Sequence, residues 1–199
     1  MTAKESFLDT LIRESDIVRS LTESMDLESM QEVMEMLMNC KGVIGVAGCG
    51  TSGAAATKIV HTLSCVQCTA MFMSPANANH GQMGAIREGD IVILISKGGK
   101  TNELQSMIAP CQSRGARVIV VTENPDSPMG RAADKVLKIK VEKEPDDFNI
   151  LATGSTMAVI AAFDAIAIAI TRARGFSKEE FLRIHPGGDV GKRLAKELG

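Results

Sequence analysis

Five short, strongly apolar runs rich in β-branched residues recur along the chain: Val43–Ala47, Val66–Met73, Ile91–Ile95, Val118–Thr122 and Val136–Val141. Most are apolar nearly throughout and do not alternate with polar residues, which is the pattern of strands buried on both faces. Helix-length segments lie between them, at Thr51–Leu63, Asn102–Arg114 and, more briefly, Met129–Ala133. After the last run comes a long apolar helix, about Gly154–Arg174, which Gly175 would stop. Strands alternating with helices imply an α/β fold, a three-layer sandwich with a parallel sheet between two helical layers.

Ahead of Gly42, Phe7, Leu8, Leu11, Ile12 and Val18 recur at helical spacing, as do Met30, Val33, Met34, Leu37 and Met38. Two amphipathic helices are expected there, with their apolar faces serving as core cover or as a subunit interface. The 199 residues then divide as N-terminal helices over 1–41, a sheet core over 42–175 and a C-terminal segment over 176–199, all in one domain. The irregular stretch Glu142–Asn149, interrupted by Pro145, Asp146 and Asp147, is the one candidate mobile segment.

Composition removes several functions. Lys and Arg number 22 against 24 Asp and Glu, a balance without the basic footprint of a nucleic-acid binder. With no Trp, no Tyr and six Phe, there is almost nothing on which bases could stack. The longest apolar stretch, Met157–Ile170, carries Asp164 and is shorter than the roughly 18 residues a membrane span needs, so it reads as a buried helix. Five scattered cysteines and a polar start after Met1 point to the reducing cytoplasm. Cys65 and Cys68 form a C-x-x-C that reads as buried thiols, or else as a redox pair or half a zinc site; no second pair accompanies it, and no metal is expected.

In a parallel sheet, ligands bind beyond the carboxyl ends of the strands. The turn after the first run, Gly48-Cys49-Gly50-Thr51-Ser52-Gly53, spells the dinucleotide fingerprint G-x-G-x-x-G. A nicotinamide reading also needs an acidic residue about 20 positions further on to hold the ribose. No Asp or Glu occurs from Gly42 through Arg87, so a dehydrogenase is disfavoured. After the third run, Ser96-Lys97-Gly98-Gly99-Lys100-Thr101-Asn102-Glu103 combines hydroxyls, glycines and lysines at a helix start. Such a turn offers inward N–H groups, hydroxyl donors and a helix dipole to a phosphate. Its alternative reading is an ordinary capped turn. A further hydroxyl cluster, Thr153-Gly154-Ser155-Thr156, either closes over the same anion or is an N-cap.

These turns, together with His80-Gly81-Gln82-Met83-Gly84 and Ile184-His185-Pro186-Gly187-Gly188-Asp189-Val190-Gly191, resemble the sugar isomerase (SIS) domain family, and within it the arabinose-5-phosphate isomerases. The resemblance covers about Gly42 to Leu194. It implies a five-stranded flavodoxin-like sheet, a homotetramer whose sites borrow residues across subunits, a phosphorylated sugar as substrate, and interconversion of an aldose and a ketose phosphate without a redox cofactor. By this resemblance the acid and base come from Glu103, Glu144 and His185. Gly50, Thr51, Ser52, His80, Ser96, Lys97, Gly99, Lys100, Thr101, Thr153, Ser155 and Thr156 bind the substrate. His185 also has the reading of a local cap, and His80 that of a loop tie. His61 matches nothing in the family and reads as a core histidine. A phosphosugar sensor without catalysis, or an isomerase of another sugar phosphate, is the alternative.

Two departures from the family pattern affect charge. The family's first turn carries Lys before its serine, where this chain has Thr51, and its third turn lacks the lysines found here at 97 and 100. The expectation is that the cation has moved to the neighbouring turn and still neutralises the phosphate. Many members also continue into paired nucleotide-sensing (CBS) modules; this sequence ends at Gly199, and that control is expected to be missing.

Overall fold

The computed structural model describes residues 1–199. Five strands form the sheet, β1 (Ile44–Gly48), β2 (Ala70–Phe72), β3 (Ile91–Ile95), β4 (Arg117–Thr122) and β5 (Lys135–Lys138), all parallel in the order β2-β1-β3-β4-β5. This is the flavodoxin-like order, with its switch point between β1 and β3. The helices are α1 (Ala3–Ser24), α2 (Leu27–Asn39), α3 (Thr51–Cys65), α4 (Pro75–Asn79), α5 (Asn102–Ser113), α6 (Pro128–Ala132), α7 (Gly154–Arg174), α8 (Lys178–Ile184) and α9 (Gly188–Leu198).

Why the runs lack polar alternation is visible in β3. Ile91, Ile93 and Ile95 point into one core with Ile59 and Leu63 of α3, Leu37 of α2 and Phe163 and Ile166 of α7. Val92 and Leu94 point into the other, with Leu104, Met107 and Ile108 of α5 and Met129 of α6. Helix α7 is long and apolar enough to cross a membrane by length and composition. Here it packs against the sheet face and buries seven residues, Phe163 and Ile170 among them.

Differences from the expected elements have local causes. The second run yields only β2, because Val66 caps α3 and Gln67 turns left-handed at φ 58° before the edge strand begins. His61 is not a core histidine: it is exposed on α3, whose buried residues are Ala55, Ala56, Ile59 and Leu63. The apolar face of α1 also splits. Leu21 is buried and Ile17 packs on the core, but Phe7, Leu8, Leu11 and Ile12 are 59–66% exposed and cover nothing in this protomer. The methionines of α2, Met30, Met34, Met36 and Met38, do pack on the core. All five cysteines are free thiols; Cys68 and Cys111 are buried, whereas Cys40, Cys49 and Cys65 are half-buried.

The register that places the site is fixed from the far end of the sheet. Buried Asp90 accepts the Val43 and Arg87 N–H groups at 2.7 Å each, tying β1 beside β3. Asp90→Ala orphans both donors, at about 1–3 kcal/mol for each unsatisfied group. The expected result is a loss of about 2–5 kcal/mol with an unchanged slope in urea, measured by circular dichroism because the chain lacks Trp and Tyr.

Candidate active site

Register pairs Gly48 of β1 with Ile95 of β3, so the turns that follow these strands lie side by side at the switch point. The first turn needs its glycines for close approach: a Cβ on Gly53 would press against the Gly48 carbonyl, and one on Gly48 against the backbone of Ser52. That closeness seats the start of α3 directly on the end of β1, with Thr51 exposed and Ser52 half-buried at its mouth.

The second turn is a closed loop. Ser96 and Thr101 share a hydroxyl hydrogen bond at 2.8 Å, and the Gly99 N–H donates to the Ser96 carbonyl at 3.1 Å. Gly99 adopts φ 64°, and a side chain there would overlap Ser127 Oγ. Buried Thr122, at the end of β4, donates its hydroxyl to the Lys97 carbonyl at 2.8 Å and pins the loop from below. Glu103 occupies the first turn of α5, exposed. Burial and, to a lesser degree, the Glu103 carboxylate raise the Cys49 thiol above its ordinary value. Asn79 donates to the Glu103 carbonyl at 2.9 Å, so the corner ending in exposed His80 is attached to the same helix start.

Glu144 comes from the irregular segment after β5, and its carboxylate is almost fully enclosed, with 1% of the side chain exposed. Oε2 accepts the Ser155 N–H at 3.1 Å, while Oε1 accepts the Lys97 ammonium at 2.8 Å. The hydroxyl cluster at 153–156 therefore does not cap α7 itself: Thr153 makes no side-chain cap bond, and Glu144 takes the capping role. A carboxylate at the N-terminus of a long helix is favoured by the helix dipole. Burial pushes the Glu144 carboxyl up, and the hydrogen bonds from Lys97 and Ser155 more than offset it, leaving it below the ordinary carboxylate value. The segment is ordered by Asp146, which accepts the N–H groups of Phe148, Ile150 and Leu151, and by Asn149, which accepts the Glu144 N–H at 2.7 Å.

A single cleft thus collects Thr51, Ser52, Lys97, Ser155 and Thr156, closed behind by Ile95, Val121 and Val159. Lys100 and Glu103 are exposed at its side. Lys97, expected on the phosphate, here has its ammonium on the Glu144 carboxylate. His185 is not brought to the cleft by its own protomer. Its Nε2 lies 3.4 Å from Cys65 Sγ at the far end of α3, about 21 Å along the helix from Thr51. The ring stacks on Phe181 with centroids 4.1 Å apart. Sequence reasoning missed Thr122, which holds the Ser96–Thr101 loop from a neighbouring strand, and Asp146 and Asn149, which order the Glu144 segment; Asn149 at φ 57° was the one with a local signal, as a left-handed Asn.

The SIS domain profile matches residues 36–170, more than half of the sequence. The chain belongs to the SIS domain family. Among relatives of this SIS chain, arabinose 5-phosphate isomerase KpsF of Escherichia coli O6:H1 is 36% identical over 189 residues, 95% of the chain and 58% of its own length. Arabinose 5-phosphate isomerase KdsD of Pseudomonas aeruginosa is 37% identical over 185 residues, 93% of the chain and 56% of its own. The chain therefore spans less than two thirds of these curated relatives. Among solved structures, a candidate sugar-phosphate isomerase from Listeria monocytogenes superposes with a TM-score of 0.91 at 44% identity, covering 94% of this chain and 100% of that one. An Escherichia coli CFT073 protein in complex with arabinose 5-phosphate gives 0.88 at 25% identity, covering 94% and 100%.

Proposed function

We propose that this SIS chain interconverts an aldose phosphate and a ketose phosphate, with arabinose 5-phosphate and ribulose 5-phosphate as the pair. The observation that carries the reading is the enclosed Glu144 carboxylate, bonded to Lys97 and to the Ser155 N–H, two residues that line the cleft between two hydroxyl-bearing helix starts. A carboxylate base beside a site that fixes the phosphate is what moving a carbonyl between C1 and C2 requires. The arabinose 5-phosphate complex of the Escherichia coli structure and the named activity of KpsF and KdsD support the same substrate.

In this reading the loop Ser96–Thr101 and the start of α3 hold the phosphate through backbone N–H groups and the hydroxyls of Thr51, Ser52, Ser96 and Thr101. One carboxylate takes the C2 proton of the aldose while an acid protonates the C1 oxygen, forming an enediol. Loss of the C2 hydroxyl proton and delivery of a proton to C1 complete the ketose. Glu103, Glu144 and His185 are the three acid–base groups, and the chemistry needs no redox cofactor. His80, at the cleft's α4 corner, binds the sugar. His185 enters from a neighbouring copy, since its own protomer keeps it at the other end of α3. Assembly as a homotetramer would also cover Phe7, Leu8, Leu11 and Ile12 of α1. The setting is the cytoplasm of a bacterium.

The test follows arabinose 5-phosphate in deuterated buffer by proton NMR. Ribulose 5-phosphate is expected to appear with solvent deuterium at the carbon that receives the proton. Protection of the fold by arabinose 5-phosphate without turnover would instead identify a phosphosugar sensor. No protection and no turnover would sink both.

A further inference from the structure

Of the charged groups around Glu144, one cation touches it. Glu123 lines the cleft from the end of β4; Arg13 and Asp16 of α1 line a second pocket together with Glu144, Lys140, Glu142 and Lys143. Arg13 is engaged by Asp9 at 2.8 Å and Lys140 by Glu142 at 2.6 Å. Lys143 is exposed. Only the Lys97 ammonium reaches the carboxylate, from a loop 47 residues away in sequence, and Lys97 itself lines the cleft with Thr51 and Ser155.

We propose that Lys97 is the positioning cation of this site, which holds the enclosed Glu144 carboxylate ionised and in place beside the cleft wall before any ligand arrives. An enclosed carboxylate loses solvation and would drift toward the protonated form, whereas an adjacent ammonium favours the charged one. The Ser155 N–H and the α7 dipole contribute to the same end, but a neutral donor is weaker than a charged one. Lys97 itself is fixed on its backbone side. Its carbonyl accepts both the Thr122 hydroxyl and the Glu123 N–H, so the ammonium starts from a rigid base rather than a free loop. Its consequence for catalysis rests on the isomerase reading: the base would be set at neutral pH by a cation from the phosphate loop, so that holding the anion and preparing the base share one turn.

A carboxyl held low is ionised at neutral pH and takes its proton only as pH falls through the lowered value. Removing the cation leaves burial uncompensated, and the titration moves upward. The experiment labels the side-chain carboxyls of glutamate with carbon-13 and titrates the ligand-free protein by NMR, assigning Glu144 by the signal missing in Glu144→Gln. Lys97→Met is expected to raise the Glu144 midpoint by about 1–3 pH units, as loss of an adjacent opposite charge does. Lys97→Arg, which keeps the charge, restores a low midpoint, and circular dichroism checks that each variant is folded. An unmoved midpoint in Lys97→Met would overturn the proposal.

The acidic limb of kcat/KM reports the free enzyme's base. It is expected to rise in Lys97→Met and to return in Lys97→Arg; the sugar phosphate's own ionisation contributes equally to all three enzymes. A midpoint that moves while the limb stays would remove Lys97 from the reaction. If the wild type binds but never turns over, the isomerase reading fails, and the ligand-free titration still decides the ion pair.

Discussion

Glu144→Gln is expected to lower kcat/KM for arabinose 5-phosphate by about 10²–10⁴-fold, the usual contribution of a general base. Glutamine preserves the size of the side chain, and its amide oxygen can still accept the Ser155 N–H that Glu144 accepts at 3.1 Å. What it cannot do is take a proton. The loop of Ser96, Gly99 and Thr101, closed by its own internal bonds, is untouched. Lys97, released from its carboxylate, is free to turn toward the phosphate, so KM should hold steady or fall while kcat collapses. Steady-state kinetics beside a dye-monitored melt with arabinose 5-phosphate separate the two parameters. A variant retaining activity within a few fold would assign the base to Glu103 or to a partner's residue.

The sheet was legible because burial on two faces writes itself into every residue of a strand. Ile91–Ile95 matches β3 residue for residue, since alternate side chains enter different but equally apolar cores. At the sheet margins the signal weakens. Val66–Met73 reads as one apolar run, yet Val66 ends a helix, because an apolar residue packs equally well at a helix terminus. The two short turns were legible as close strand-to-helix junctions, because glycine admits the backbone approach seen at Gly48 and Gly53 and the positive φ of Gly99. The Glu144 environment was not. Lys97 and Glu144 are far apart in sequence, and nothing local in either segment states that the lysine reaches the carboxylate. His61 misled because it sits in an apolar segment, where only the helical phase distinguishes an inward residue from an outward one. In α1 periodicity alone left core cover and subunit interface both open, and Phe7, Leu8, Leu11 and Ile12 keep a core-like spacing while lying exposed on the single chain.

Mixing two inactive variants should restore activity if the cleft is completed by a second copy. His185 is held between Cys65 Sγ and the Phe181 ring, and its Nδ1 lies 3.3 Å from the Phe181 carbonyl, so within one protomer it is fixed far from Glu144. His185→Ala alone is expected to be nearly inactive and folded, because the ring lies half-buried at the surface and not in either core. Glu144→Gln alone is inactive for the reason given above. In a pair that exchanges histidines, a mixed assembly has one cleft lacking both groups and one lacking neither. Half of randomly formed pairs are mixed, so about one quarter of all clefts regain a complete set when the closed symmetry of an oligomer governs assembly. The measurement is isomerase activity after the two variants are unfolded together, refolded as a 1:1 mixture and checked by light scattering for the size of the wild type. Recovery near that fraction would place His185 in the partner's cleft. No recovery from a properly assembled mixture would mean that each cleft draws its histidine from its own chain, which requires α8 and α9 to leave Cys65 on binding, or that His185 has no part in the reaction. Full activity of His185→Ala on its own would select the second of these, leaving the histidine as the local cap that its place before Pro186-Gly187-Gly188 also suggests.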